Sequence, residues 1–221
     1  MDFFKVDLAL KYAPLLLQGT LITVLLTIGV EIVSMLLGLF ATLVRLTRIR
    51  LLALPISVYV DFFRGTPLLI QLYWVFFALP IILNRDVSSV VSAVTALCLH
   101  MGAYQAETIR AGIQAIHKGQ VMAARGLGMS YAMAMRRVIL PQAARKMTPE
   151  LISNFVQVLK GTAIVSVLGF PELMYYANLV NSFAFRSVEV YTTAAIIYFA
   201  LGFPISMWAR RYEKTLLRTE A

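Results

Sequence analysis

Long apolar stretches separated by short polar segments make up most of this 221-residue chain. A membrane-crossing helix needs roughly 20 predominantly apolar residues. Five stretches are about this long or longer, and they cover residues 19–44, 51–83, 88–109, 149–170 and 190–208. The pattern therefore predicts an all-α integral membrane protein with five transmembrane helices, in a single domain over residues 1–221.

Two of these stretches contain signals for a helix break or a helix start. The stretch over residues 51–83 is too long for one straight span and too short for two. Pro67 lacks a backbone donor and disfavours helical geometry at Thr66, so we expect one span with a break at residues 65–67. The fourth span is expected to begin with Thr148 as its N-cap and Pro149 in its first turn.

The composition supports a membrane protein. Hydrophobic residues make up 60% of the chain and charged residues 14%, whereas soluble domains contain about 25% charged residues. The single cysteine, Cys98, excludes an internal disulfide, and its apolar surroundings indicate a packing role. The net charge of +9 fits basic cytoplasmic loops, so no nucleic-acid partner is expected.

The basic residues are distributed unevenly between the two sets of loops that five spans would create. One set carries Arg45, Arg48, Arg50, Arg110, Lys118, Arg125, Arg136, Arg137, Arg145, Lys146, Arg210, Arg211, Lys214 and Arg218. The other carries Lys5, Lys11, Arg85 and Arg186, offset by Asp2, Asp7, Asp86, Glu172 and Glu189. Because cytoplasmic loops are enriched in Lys and Arg, we expect the N-terminus outside and the C-terminus in the cytoplasm.

The long cytoplasmic loop over residues 110–147 contains a basic, glycine-punctuated segment at residues 118–142. Gly126 and Gly128 are expected to end a first helix, and Ser130 to cap a second helix that Pro141 stops. Three interpretations are open for this helix–turn–helix. It could lie on anionic lipid, pack on the helices of its own chain, or dock in a groove of a cytoplasmic protein.

Four short motifs carry a resemblance to a known family. The spacing from Ala123-Ala124 through Gly128 to Val138-Ile139-Leu140-Pro141 resembles the signature loop of bacterial ABC importer permeases, E-A-A-x3-G-x9-I-x-L-P. The other three resemble the polar amino-acid uptake branch, which includes histidine, glutamine, glutamate and arginine permeases. They are the F-R-G-T-P-L-L run at residues 63–69, the run at residues 103–113, and Leu159-Lys160-x-Thr162.

The resemblance implies a type I ABC importer permease fold in the bacterial inner membrane, with the loop coupling it to an ATPase. The implied coupling residues are Gly119, Ala123, Ala124, Arg125, Gly126, Leu127, Gly128, Met129, Ser130, Leu140 and Pro141. The implied partners are a second permease chain, two ATP-binding subunits and an extracytoplasmic amino-acid-binding protein. ATP and Mg²⁺ would bind to the ATP-binding subunits, so no cofactor is expected in this chain.

The chain departs from the family pattern at several positions. Met122 occupies the place of the signature glutamate, and Val138 that of an isoleucine. The acid and serine that often follow the lysine of the last motif are replaced by Gly161 and Ala163. A carboxylate contact to substrate at position 161 is therefore absent.

Charged residues within the spans suggest a substrate pathway, because charges in a bilayer usually face a cavity or each other. From the midpoints of the expected spans, Glu31, Arg64 and Lys160 come out at similar depth. We expect Arg64 or Lys160 to contact the carboxylate of a translocating amino acid. The expected pathway residues are Glu31, Arg64, Gly65, Thr66, Pro67, Gln71, Asn154, Lys160 and Thr162. Alternatively, Glu31 and Asp61 pair with Lys160 and Arg64 and only hold the spans together.

Some chemistry is missing from the sequence. The chain has no G-x-x-x-x-G-K-[ST] phosphate-binding motif, so we do not expect it to be an enzyme that hydrolyses ATP. His100 and His117 have no cysteine or acid at metal-ligand spacing, so no metal site is expected. The sequence favours the permease subunit of an ATP-driven importer for a polar amino acid, with an acidic or neutral one favoured over a basic one. The alternative is a non-transporting membrane scaffold that recruits a cytoplasmic protein through residues 118–142.

Overall fold

The computed structural model describes residues 11–47 and 49–220, with side chains to residue 216. These residues form eight helices and no strand. The helices are α1 (Ala13–Leu46), α2 (Arg50–Gly65), α3 (Leu68–Leu83), α4 (Ser89–Gln114), α5 (Lys118–Gly126), α6 (Tyr131–Leu168), α7 (Leu173–Ala184) and α8 (Ser187–Glu220). The predicted orientation also used the charges of Asp2, Lys5, Asp7, Arg48 and Arg218. The structure does not describe these side chains.

Three of the described helices, α1, α6 and α8, are long and apolar enough to cross a membrane, and α2 with α3 would make a fourth if the bent pair is one span. The predicted third span, residues 88–109, corresponds to α4, which is not apolar enough to count among these membrane-crossing helices. At 1.5 Å per residue, its 26 residues would extend about 39 Å. Five spans, and the orientation of the termini, therefore stay predictions.

Helix α4 forms the centre of the fold, because its neighbours surround it. It packs along α1 and also contacts α2, α3 and α6. Small side chains allow this close approach: a Cβ at Gly38 of α1 would lie 2.5 Å from the Cβ of Gln105. The largest core cluster includes Leu26, Val30, Leu72, Val75, Ala93, Ala96, Leu97, Cys98, Met101, Val158, Val165 and Phe170. Cys98 is thus a buried core residue, as expected.

The chain breaks between α2 and α3 where the sequence predicts it. Thr66 and Pro67 have extended backbone geometry, with ψ angles of 147° and 137°. The two helices are bent by 112°, far more than a kink within one straight span. The predicted break at residues 65–67 is therefore confirmed, and the bend at this break is sharper than the expected kink.

The sequence predicted that Pro141 ends one helix and that Thr148 caps the next. Both predictions are wrong, because α6 continues through Pro141 and Pro149. A π-helical turn at Met135–Ile139 precedes Pro141, and the Leu140 N–H bonds to the Met135 carbonyl. This wider turn accommodates the missing donor of Pro141, so the helix does not stop. Thr148 is not an N-cap: its hydroxyl donates to the Ala144 carbonyl at 2.7 Å within the helix.

The sequence patterns did not reveal α7, which lies between the predicted fourth and fifth spans. The Glu172 carboxylate caps it by accepting a hydrogen bond from the Tyr175 N–H at 2.8 Å. Its 12 residues are too few to cross a bilayer. Its buried residues pack in a second core cluster that includes Leu16, Leu173, Ala177, Val180, Val190 and Ala194.

Candidate transport site and coupling loop

The helix–turn–helix predicted within residues 118–142 is present, and its side of the membrane stays a prediction. Helix α5 ends at Gly126, and Gly128 adopts a positive φ of 81°, which side-chain-bearing residues disfavour. The Ser130 hydroxyl caps α6 by accepting a hydrogen bond from the Met133 N–H at 3.3 Å. The turn therefore follows from local chemistry at three residues.

One side of this hairpin packs on the chain itself. Ile116, Ile139 and Ala143 are buried together and form its small core. Of the predicted coupling residues, Ala124 is buried, Gly119 and Met129 are half-buried, and Ala123, Arg125, Gly126, Leu127, Gly128, Ser130, Leu140 and Pro141 are exposed. The hairpin thus combines a supporting inner face with a free outer one.

Large apolar side chains lie on the outer face of the hairpin. Leu127 is 80% exposed, Met122 67% and Tyr131 63%. Exposed apolar patches of this kind mark interaction sites. No acidic residue occurs between Glu107 and Glu150. The outer face of the hairpin is therefore both apolar and basic.

A cluster of arginines surrounds Glu107 near the end of α4. The Glu107 carboxylate lies 3.2 Å from Arg45 and 3.7 Å from Arg64, and it also accepts hydrogen bonds from Arg110. Glu107 and Arg110 thus form an i,i+3 ion pair on α4. Arg110 lies beyond the predicted span, and its hydrogen bond to Glu107 raises its pKa above the usual range.

The alternative pairing of Arg64 with Asp61 and Lys160 with Glu31 is not formed. Arg64 pairs with Glu107. Among the described residues, Glu31 accepts its hydrogen bond from Gln105 at 2.8 Å, and no ion pair joins it to Lys160. The pairs were expected from similar depths, but depth alone does not decide which side chains of packed helices face each other.

Two further pathway candidates, Asn154 and Thr162, point into the protein. The buried Asn154 amide donates to Gln105 at 3.1 Å and to Thr108 at 3.0 Å. The Glu31–Gln105 hydrogen bond extends this polar chain from α6 through α4 to α1. The buried Thr162 hydroxyl donates to the Leu159 carbonyl at 2.7 Å. In this conformation, Asn154 and Thr162 therefore connect or stabilise helices.

Gln71 holds the break between α2 and α3. Its amide nitrogen lies 2.9 Å from the Phe63 carbonyl oxygen and 3.0 Å from the Thr66 carbonyl oxygen. Its amide oxygen lies 2.9 Å from Nδ1 of His100 on α4. Because the bend leaves these carbonyls without helical partners, a buried amide that satisfies them stabilises the broken geometry.

A cavity of about 280 Å³ lies beside this break, and we refer to it as the transport cavity. It is lined by Leu68, Leu97, His100, Met101, Gln157, Lys160, Gly161 and Ile164. The structure thus brings Lys160 of α6 next to the start of α3. Gly65 and Pro67 are exposed at the break and Thr66 is half-buried, but Arg64 does not line the cavity.

Sequence reasoning missed two polar residues of the transport cavity, His100 and Gln157. Gln157 precedes Lys160 by three residues, so helical periodicity could have placed them on one face. His100 was considered only as a metal ligand. Among the described residues there is no cluster of three or more potential metal ligands.

Comparison with solved structures defines the class of protein. The fold matches a crystal structure titled as an amino acid ABC transporter with histidines, with a TM-score of 0.88 and 39% identity, over 93% of this chain and 96% of that chain. It also matches the MetNI methionine ABC transporter in an inward-facing conformation, with a TM-score of 0.74 over 93% of this chain and 97% of that chain. At 18% identity, the second match concerns the fold alone.

The family follows from the sequence comparisons. Residues 34–218 match the family described as binding-protein-dependent transport system inner membrane component. The chain therefore belongs to this family, and it is a membrane permease subunit of the amino-acid ABC transporter class. In such importers ATP hydrolysis takes place in a separate subunit.

Two relatives from Bacillus subtilis (strain 168) have similar length. The chain is 34% identical over 210 residues to "Probable glutamine ABC transporter permease protein GlnP", which covers 92% of this chain and 94% of that protein. It is 34% identical over 203 residues to "Arginine transport system permease protein ArtQ", which covers 92% of this chain and 93% of that protein. The scaffold alternative finds no support in these comparisons.

Proposed function

We propose that this chain lines one half of the pathway of an ATP-driven importer, and that a polar amino acid binds in the transport cavity. The observation that carries the proposal is Lys160, an exposed cation that lines this cavity beside the break between α2 and α3. A lysine within a membrane-length helix is costly unless it faces water or a partner. Broken helices are also typical of transporter binding sites.

Lys160 is the group that contacts the α-carboxylate of the substrate. Arg64, the other candidate, is paired with Glu107 and lies outside the cavity lining. Among the described residues, no carboxylate lines the cavity, and Gly161 occupies the position where relatives often carry an acid. This charge balance favours an acidic or neutral amino acid over a basic one.

The importer contains four further components. A second permease chain, identical or paralogous, completes the pathway, and an extracytoplasmic binding protein delivers the amino acid. Two ATP-binding subunits dock on the coupling hairpins of the two permeases and hold ATP and Mg²⁺. The exposed apolar side chains of Met122, Leu127 and Tyr131 form the docking surface on this chain.

Helix α6 transmits the motion of the ATP-binding subunits to the cavity. It extends without interruption from Tyr131 at the hairpin to Lys160 at the cavity. The 29 residues that separate these positions correspond to about 44 Å of helix. Closure of the ATP-binding subunits therefore moves Tyr131 and Lys160 together, and this displacement changes access to the substrate.

Reconstitution tests the proposal. The permease, ATP-binding subunits and binding protein are assembled in liposomes, and ATPase activity and uptake are measured with a panel of amino acids. We expect stimulation by at least one polar amino acid, and loss of uptake in Lys160→Met with assembly intact. Lys214→Met, an exposed lysine of α8, is the matched control. If no amino acid stimulates the wild-type complex, the proposal is wrong.

A further inference from the structure

His100 lies in the transport cavity but takes no part in the charge and coupling arrangements described above. Its ring lines the cavity together with Gln157, Lys160 and Gly161. A neutral imidazole has one N–H donor and one acceptor nitrogen. Which nitrogen carries the proton therefore decides what His100 offers to a bound molecule.

The break between α2 and α3 determines the orientation of the Gln71 amide. The Gln71 nitrogen lies 2.9 Å from the Phe63 carbonyl oxygen and 3.0 Å from the Thr66 carbonyl oxygen. Carbonyl oxygens only accept hydrogen bonds, so the NH₂ group of the amide must occupy this position. The Gln71 oxygen is consequently the atom that faces His100.

The Gln71 oxygen in turn determines the tautomer of His100. This oxygen lies 2.9 Å from Nδ1 of His100, and it can only accept, so Nδ1 must carry the proton. The other ring nitrogen, Nε2, then has a free lone pair. Within the part of the chain that the structure describes, Nδ1 bonds to Gln71, and the Phe63 carbonyl is a further acceptor beside the His100 ring. Nε2 is not among the buried unpaired atoms. Because His100 lines the cavity, Nε2 is the ring atom left for a bound molecule.

The other residues that line the cavity limit which substrate side chains can bind to Nε2 of His100. A carboxylate side chain facing the Nε2 lone pair is repelled, because neither group supplies a proton. A cationic side chain would meet Lys160, and no carboxylate among the described lining residues offsets that charge. A neutral side chain with an N–H group, such as a carboxamide, satisfies Nε2 without either penalty.

We infer that His100 is a specificity-determining residue of the transport cavity, where Nε2 accepts a hydrogen bond from the neutral N–H-bearing side chain of an amino acid whose α-carboxylate lies at Lys160. The inference rests on the proposed function. It narrows the substrate from an acidic or neutral amino acid to a neutral carboxamide-type amino acid. Gln71 is the positioning residue, because it acts through the His100 tautomer.

Direct binding to the purified permease–ATPase complex tests this specificity without the selectivity of the binding protein. The probes are L-glutamine, L-glutamate and L-alanine, and the measurement is the equilibrium dissociation constant. We expect the wild-type complex to prefer glutamine over glutamate. We expect His100→Leu to weaken glutamine binding about fivefold to tenfold, the loss of one neutral hydrogen bond, and to leave alanine binding unchanged. Equal weakening of alanine would mean that the ring only supports the cavity, and would overturn the inference.

The tautomer itself can be observed by nitrogen-15 NMR of the complex labelled at histidine. His100 and His117 are the only histidines, so a His117→Asn variant assigns the signals of His100. We expect a protonated Nδ1 and an unprotonated Nε2 in the wild type. In Gln71→Leu we expect this preference to be lost and glutamine binding to weaken as in His100→Leu. A wild-type ring protonated at Nε2 would overturn the inference.

The outcomes separate this inference from the proposed function. A wild-type permease–ATPase complex that binds glutamate or arginine in preference to glutamine leaves the importer function in place and overturns the role of His100. A complex that neither binds nor imports any amino acid overturns the proposed function, and the inference with it.

Discussion

The guanidinium of Arg45 lies 3.2 Å from the carboxylate of Glu107, which ties the end of α1 to α4. The same carboxylate also pairs with Arg64 at the end of α2 and with Arg110 on α4. One acid therefore offsets three arginines where three helices meet. Removal of that acid leaves like charges facing one another.

We predict that Glu107→Gln lowers the stability of the assembled complex. The side chain is partly exposed, so we discount the effect for solvent screening and expect a loss of about 1 kcal/mol. Thermal unfolding followed by size-exclusion chromatography measures it, and added salt should reduce the difference from the wild type. Glu150→Gln, an exposed acid of α6, is the control and should unfold like the wild type.

Two glycines of α1 provide a matched test of helix packing. At Gly38 a Cβ would lie 2.8 Å from the backbone nitrogen of Ala106, whereas at Gly29 it would meet nothing within 4 Å. We predict that Gly38→Ala destabilises the fold by about 1–3 kcal/mol, because α1 must move away from α4. Gly29→Ala should be neutral or slightly stabilising, because alanine favours helix. Equal effects in an unfolding assay would contradict the close approach of the two helices.

The hairpin turn provides a second glycine pair. Gly128 has a φ of 81°, and Gly126 lies in the last turn of α5 with open space around it. We predict that Gly128→Ala costs roughly 1 kcal/mol of local stability, because an L-residue is strained at that φ, while Gly126→Ala does not. Hydrogen exchange of the 118–142 segment measures the difference. Faster exchange in both variants would show that the turn geometry is not the cause.

The outer face of the hairpin should respond to charge. We predict that Leu127→Glu lowers substrate-stimulated ATPase activity of the assembled complex at least about tenfold, while folding is unchanged because Leu127 is 80% exposed. Leu127→Met keeps the apolar contact and should retain activity. Full activity of Leu127→Glu would exclude Leu127 from the docking surface.

Met122 tests whether the docking surface needs an acid. It is 67% exposed and stands where the family signature has a glutamate. If the surface of the partner subunit matches the apolar, acid-free hairpin, Met122→Glu should weaken coupled ATPase activity and Met122→Leu should not. Higher activity in Met122→Glu would instead mean that the partner retains a basic contact for the family glutamate.

The sequence by itself determined the features that depend on local backbone chemistry. Pro67 predicts the break at residues 65–67 because a missing N–H and a restricted neighbour act within two residues. Gly128 and Ser130 predict the hairpin turn for similarly local reasons. The motifs around residues 123–141 identified the family, and the comparison over residues 34–218 confirmed it.

Only the tertiary structure decided features that depend on residues far apart in the chain. At the 112° bend, Gln71 hydrogen-bonds to Phe63, Thr66 and His100. Pro141 suggested a helix end, but the π-helical turn before it, and the packing of its neighbours Ile139 and Ala143 against Ile116, are compatible with a continuous helix. The Glu107 carboxylate accepts a hydrogen bond from Arg45, which lies 62 residues earlier in the chain. Local rules cannot predict such contacts, because each depends on how the helices pack.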